Sequence, residues 1–365
     1  MDYPNPHGAI LTIDAAALAG NWRIMAELAK PAECAAVVKA DGYGLGTETV
    51  VQTLARVGCR TFFVAHIGEA QAARKAAPMS HIYVLNGMPP GSESTYANYR
   101  LRPVLGTIGE IGRWRKAGGG PCALHVDTGM NRLGLTIDEA KALAQSDVWK
   151  TLGIELIMSH FVAAEEPKNP LNEAQITRFD RVSGWYASGI KRRSLANSSA
   201  HFLPNVPHHD LTRTGYALYG GNPMPGRPNP MKPVIRLEAP IIQLRTVETG
   251  DHVGYNAQWM AQRPSVVATL SVGYADGWLR SMSSTNSKSG GAAMVNGVRC
   301  PIAGRVSMDL ITLDVTDCPP ETLKAGVMAT LIGDGISVDD VAEMAGTNGY
   351  EILTSLGGRY QRRVL

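Results

Sequence analysis

A lysine that directly follows an apolar run is an unusual amine. In Val38-Lys39-Ala40-Asp41-Gly42-Tyr43-Gly44-Leu45-Gly46 the run Ala35–Val38 ends at Lys39. At such an edge burial disfavours the ammonium form, lowers the pKa and leaves a nucleophile. Glycines at 42, 44 and 46 suit a close approach of backbone to a ligand, and Tyr43 projects from the same turn. Further apolar runs also end in polar inserts. These are His125-Val126-Asp127-Thr128-Gly129-Met130-Asn131-Arg132, Ser159-His160-Phe161, Asn197-Ser198-Ser199 and Arg213-Thr214-Gly215-Tyr216. One such insert is ordinary capping. A lysine, two arginines, a histidine and an Asn-Ser pair at successive run ends are hard to explain as solvated loops. Later in the chain Gly273-Tyr274-Ala275-Asp276-Gly277 and Gly304-Arg305-Val306-Ser307-Met308-Asp309 stand out, although a tyrosine amid small residues also reads as packing.

These residues need a scaffold that brings run ends together. The candidate strands are Ala35–Val38, Thr61–Ala65, His81–Leu85, Arg102–Leu105, Ala123–Val126, Ile154–Met158, Ser194–Ala196 and Leu211–Thr214. Helical patterns lie between most of them, at Thr47–Val57, Glu69–Ala77, Ile137–Gln145 and Leu171–Ala187, with Thr136 and Glu139 as a capping box. Eight strands alternating with helices predict an α/β fold, a (β/α)₈ TIM-type barrel over residues 1–230, whose strand C-termini are where chemistry is built. An open doubly wound sheet also alternates strand and helix. The proline- and glycine-rich GGNPMPGRPNPMKP then breaks the pattern. Val234–Leu237, Ile241–Val247, Ser265–Ser271, Ala292–Val295, Ile311–Val315 and Val327–Ile332 predict a mainly β C-terminal domain over 231–365, with one short helix at Ser337–Ala345. The chain's first strand is allowed to pack with that second domain.

Composition narrows the function. The formal charge of +3 on 365 residues argues against a nucleic-acid binder, which normally carries a basic stripe. No run of 18 apolar residues exists, so no membrane span is expected. The opening MDYPNPHGAI has no basic region followed by an apolar stretch, so no export signal is expected and the cytoplasm is the expected location. The five cysteines are widely spaced, without a C-x-x-C, which predicts free thiols and no metal site.

The quoted segments resemble a known family. VVKADGYGLG is similar to the lysine motif of the alanine racemases, fold-type III enzymes dependent on pyridoxal 5'-phosphate. HVDTGMNRLG, SHF, ANSS, LTRTGYALYG, VGYADG and AGRVSMD resemble further motifs of that family in the same order, over essentially the whole chain. The resemblance implies a barrel followed by a β domain, acting as a homodimer with shared active sites. It implies interconversion of L- and D-alanine, supplying D-alanine for peptidoglycan or serving alanine catabolism. Lys39 would hold the cofactor and act as one base, and Tyr274 of the partner subunit would be the other. Arg213 would face the pyridine nitrogen, with His160 linking Tyr274 and Arg213. Tyr43, Asn197, Ser198, Gly215 and Tyr216 would complete the cofactor site, most of them at its phosphate. Arg132 and the backbone N–H of Met308 would bind the substrate carboxylate.

The implied chemistry is coherent. The cofactor supplies the electron sink, and inversion at a planar centre needs one base on each face. Arginine only donates, so Arg213 would leave the ring nitrogen unprotonated and favour racemisation over transamination. Two positions depart from the family pattern. Many members carry at the place of His125 a lysine whose carbamate positions the arginine matching Arg132; histidine cannot form it, so either His125 supports Arg132 directly or a water or anion fills the gap. The terminal GGRYQRRVL has Gly358 where some members have a phosphate-contacting tyrosine. Two other classes compete. Another enzyme of the same barrel class competes first: a decarboxylase would place an acid where Arg213 stands, and a broad-specificity racemase usually carries an export signal. Second, a non-catalytic cofactor-binding protein would lack the β domain and Tyr274.

Overall fold

Runs of four or five residues that are buried on both faces make parallel strands, because helices cover both sides of such a sheet. Thr61–Val64 and Leu211–Thr214 are buried at every position. The structure, a computed structural model, describes residues 8–365, so most of the opening segment examined for an export signal lies outside it. Nine strands lead the fold: β1 (Ile10–Ile13), β2 (Glu33–Val37), β3 (Thr61–Val64), β4 (His81–Val84), β5 (Arg102–Leu105), β6 (Cys122–His125), β7 (Ile154–Met158), β8 (Arg192–Ser194) and β9 (Leu211–Thr214). Two compact units result, one of Leu18–Lys232 and one joining the chain before Leu18 to Pro233–Leu365.

In the first unit β2 to β9 form one eight-stranded parallel sheet in the order β8-β7-β6-β5-β4-β3-β2-β9. The ends close into a barrel through Asp210 N–H to Arg193 O at 3.1 Å and Arg213 N–H to Ala196 O at 2.9 Å. The barrel is filled by Ala35, Phe63, Tyr83, Val104, Ala123, Leu156, Met158 and Leu211. Phe63 and Tyr83 stack with ring centroids 4.9 Å apart. Alanines on β2 and β6 leave room for those rings, so the barrel is a packed core rather than a pore. The capping box at Thr136 and Glu139 forms as expected at the start of helix Ile137–Gln145.

The second unit is mainly β. The sequence predicts separate strands at Val234–Leu237 and Ile241–Val247, but the chain runs as one 13-residue strand, Ile235–Val247. Pro240 lacks an N–H yet does not end it: its carbonyl still accepts from Ser271 N–H at 3.3 Å, and a register shift between Ile241 and Gln243 absorbs the misfit. β1 pairs antiparallel with this strand and parallel with Gln361–Val364. The opening strand therefore belongs to the β sheet, because the barrel already has its eight strands. Val298–Pro301, Gln361–Val364 and helix Gly349–Ser355 were not expected from the sequence. Among the described residues no helix is long and apolar enough to cross a membrane, and no group of His, Cys, Asp or Glu is arranged to hold a metal.

Candidate active site

Lys39 ends β2 and opens a turn of opposite hand. Ala40, Asp41 and Gly42 have φ/ψ near 54/51°, 52/50° and 63/42°, and Tyr43 has φ 55°. A left-handed conformation costs an L-residue roughly 1–2 kcal/mol. Hydrogen bonds oppose that cost. Asp41 Oδ1 accepts from Thr47 N–H at 2.7 Å and Thr47 Oγ1 at 2.9 Å, and Glu69 Oε1 accepts from Ala40 N–H at 2.7 Å. Gly42, Gly44 and Gly46 all have positive φ, a conformation glycine adopts without strain. Burial holds the Lys39 amine below its usual range; the like charge of Arg132 adds to this and Glu69 partly offsets it.

The polar inserts meet at the same end of the barrel strands. Arg213, on β9, is buried. Its Nη1 donates to Ser194 Oγ at 2.5 Å, and its Nη2 donates to Ser159 O at 2.5 Å and faces His160 Nδ1 at 3.3 Å. All these partners are neutral. Burial pushes the guanidinium down to about 9, which leaves it charged at neutral pH. Burial and then Arg213, Arg132, His125 and Lys39 hold the His160 imidazole well below its usual pKa. A neutral ring accepting from Arg213 at Nδ1 carries its proton on Nε2. Burial, with Arg213 and Arg132 against Asp127, pushes His125 down to about 4. Among the described residues no hydrogen bond joins His125 to Arg132, so the support expected there is not a direct bond.

The expected phosphate residues form a second group. Ser198 Oγ accepts from Gly215 N–H at 2.9 Å and Ala217 N–H at 3.4 Å. A Cβ on Gly215 would lie 2.6 Å from Tyr43 Oη, so only glycine fits there. Tyr43 stacks on Tyr219, with centroids 4.3 Å apart, and Tyr219 Oη donates to Val37 O at 3.0 Å. Burial raises the Tyr43 phenol, which therefore stays protonated and able to donate. Tyr216 follows Gly215 and is buried. Asn197 Oδ1 accepts from Ala200 N–H at 3.1 Å, just ahead of the turn Ser199–Phe202. Sequence reasoning missed Glu69, Tyr219 and Gln175. Glu69 had a signal, as the third residue of a capping box begun by His66.

The β unit carries Tyr274 and Met308 side by side. Tyr274 N–H donates to Ser307 O at 3.0 Å and Ala275 N–H to Met308 O at 2.9 Å. Arg359 ties the two loops, reaching Asp276 at 3.1 Å and Asp309 at 2.8 Å. Tyr274 is 42% and Met308 54% exposed, unusual for apolar residues held this firmly.

Comparison with known proteins places this geometry. Residues 13–223 match the model of "Alanine racemase, N-terminal domain" and 234–364 that of "Alanine racemase, C-terminal domain". An alanine racemase of Methylobacterium sp. is 52% identical over 99% of both chains. A catabolic alanine racemase of Mesorhizobium japonicum is 47% identical over 97% of this chain and 93% of its own. The crystal structure of alanine racemase from Bartonella henselae with covalently bound pyridoxal phosphate superimposes with a TM-score of 0.92 at 38% identity, covering 99% of this chain and 100% of that one. Two domain models in order, and full-length identity of about half, leave one assignment: the chain belongs to the alanine racemase family.

Proposed function

We propose that the chain interconverts L- and D-alanine with two bases on opposite faces of the substrate, Lys39 and the partner subunit's Tyr274. The observation that carries this reading is the buried, charged Arg213 with only neutral partners, on the strand that neighbours the one ending at Lys39, whose amine burial holds below its usual pKa.

The residues present fit pyridoxal 5'-phosphate. Ser198 Oγ accepts from the N–H groups of Gly215 and Ala217 and so has its own O–H to donate; with the protonated Tyr43 phenol close to Gly215 it places two hydroxyls suited to a phosphate. Arg213 meets no carboxylate and can donate to a ring nitrogen without protonating it. When bound, the cofactor supplies the electron sink that makes the Cα–H of the amino acid acidic.

The rest falls to the chain's own groups. Lys39 Nζ would hold the cofactor, and the same amine would move a proton on one face of the substrate. Arg213 fixes the tautomer of His160, leaving Nε2–H to donate toward the phenolic oxygen of the partner subunit's Tyr274. Arg132 supplies a positive charge for the substrate carboxylate, and the backbone N–H of Met308 donates to it from the partner. The exposure of Tyr274 and Met308 on the β unit supports a homodimer in which each is covered. All five cysteines are unpaired, in keeping with the reducing cytoplasm.

The test is borohydride reduction of the loaded protein followed by peptide mapping, alongside α-deuterium exchange on both alanine enantiomers. The label is expected on Lys39 with exchange from both enantiomers. Label on another lysine, or loaded protein without exchange, overturns the reading.

A further inference from the structure

Gln175 sits on the inward face of helix Leu171–Gly184 and is fully buried, a rare place for a side-chain amide. Both ends of that amide are engaged. Oε1 accepts from Val162 N–H at 2.8 Å. Nε2 donates to His160 O at 2.8 Å and to Thr128 Oγ1 at 3.1 Å. Thr128 Oγ1 in turn lies 2.8 Å from Ser159 Oγ, and Arg178, one turn on, donates to Thr128 O at 2.9 Å.

Two loops therefore meet on one amide. One follows β6 and carries Arg132; the other follows β7 and carries His160. From the barrel side Arg213 holds the carbonyl of Ser159 and faces the His160 ring. The Ser159–His160 segment is pinned between Arg213 and Gln175.

We infer that Gln175 is a positioning residue for the racemisation: without touching substrate or cofactor, it fixes the His160 ring against Arg213 and sets the loop that bears Arg132. This rests on the roles given to His160, Arg213 and Arg132 in the preceding section. An apolar side chain at 175 would leave Val162 N–H, His160 O and Thr128 Oγ1 without that partner. Both loops must then shift to satisfy them. A misplacement of about 1 Å is enough to cost on the order of 100-fold in rate.

Gln175→Leu, Gln175→Glu and the wild type are compared as cofactor-loaded enzymes, with kcat and KM expressed per loaded site. Gln175→Leu is expected to lose about tenfold to 100-fold in kcat, with a smaller rise in KM for alanine. Gln175→Glu guards against a variant that does not fold. Its neutral acid can accept from Val162 N–H and donate to His160 O; its carboxylate can only accept. The titratable groups around it are the neutral His160 and the charged Arg213 and Asp127 from the barrel loops and strand, and the charged Arg178 from its own helix. The arginines favour the carboxylate and displace the midpoint downward without changing the sign. The ratio of its kcat to that of wild type should therefore be low at alkaline pH and rise as pH falls. A loaded Gln175→Leu with wild-type kcat, or a Gln175→Glu equal to wild type at alkaline pH, overturns the proposal, because a side chain that only supports the fold would change melting temperature alone. Amide hydrogen exchange on the cofactor-free protein gives a readout independent of turnover. Gln175→Leu should raise exchange in 126–133 and 159–163 together, with β3 and β4 unchanged; unchanged exchange there also overturns it. If the wild type itself fails to exchange the α-proton of alanine, the function is wrong, whereas the hydrogen-exchange result still judges the clamp.

Discussion

Arg213 shows how far single residues carry the account. A buried guanidinium among neutral acceptors is a standing positive charge aimed at whatever fills the site. Arg213→Glu reverses that charge and offers the ring nitrogen a carboxylate that would protonate it and deepen the electron sink. Racemisation should fall by roughly 10²–10³-fold, the usual loss for a positioned electrostatic donor, and the share of turnovers that release pyruvate by transamination should rise. Counting pyruvate per racemisation event checks this; an unchanged ratio would mean that Arg213 does not face the ring. Lys39, His160, Ser198 and Arg213 stood out in the sequence because each lies at or near the end of a strand candidate, while the roles proposed for them come from the family resemblance. Gln175 was not, since a glutamine inside an amphipathic helix reads as a surface residue until its face is known. Glu69 read as an ordinary first-turn acid, and its bond to Ala40 exists only because the turn after Lys39 is left-handed.

That turn is the element most dependent on its exact residues. Periodicity cannot reveal it, since five consecutive positive φ values, from Ala40 to Gly44, belong to no repeating pattern. Gly42 is the position that tolerates least. A Cβ there would meet Val50 Cγ2 at 2.9 Å, on a backbone with φ of 63°. Gly42→Ala should destabilise by about 1–2 kcal/mol from conformation alone, with the clash adding to it. For a unit of this size that is a fall in melting temperature of about 2–4 °C per kcal/mol. Calorimetry of the cofactor-free protein measures it, and a melting temperature within about 1 °C of wild type would mean the turn is not strained. Elsewhere the elements were easier to read. Arg102–Leu105, Ile154–Met158 and Leu211–Thr214 lie where the apolar runs predicted, because polar or glycine residues bound them sharply. Ile235–Val247 did not, because a proline at an interior position reads as a break and only the sheet around it supplies the partners that let the strand continue.

At the scale of the molecule, the residues of the proposed mechanism fall in both units. The barrel unit holds Lys39, Arg132, His160 and Arg213, and the β unit holds Tyr274 and Met308 on exposed loops tied by Arg359. The central claim is that a working site takes its two bases from different subunits. Lys39→Ala and Tyr274→Phe homodimers should each be nearly inactive, since a missing acid–base group costs roughly 10²–10⁴-fold. Mixing the two variants and allowing subunits to exchange makes dimers in which one site carries both lesions and the other carries none. With random exchange about half of the dimers are mixed and each has one intact site, so two-fold symmetry predicts recovery to about a quarter of wild-type activity. Recovery to that level is the expected result. No recovery, with subunit exchange demonstrated by mass, would place Lys39 and Tyr274 in the same subunit's site and contradict the shared-site mechanism.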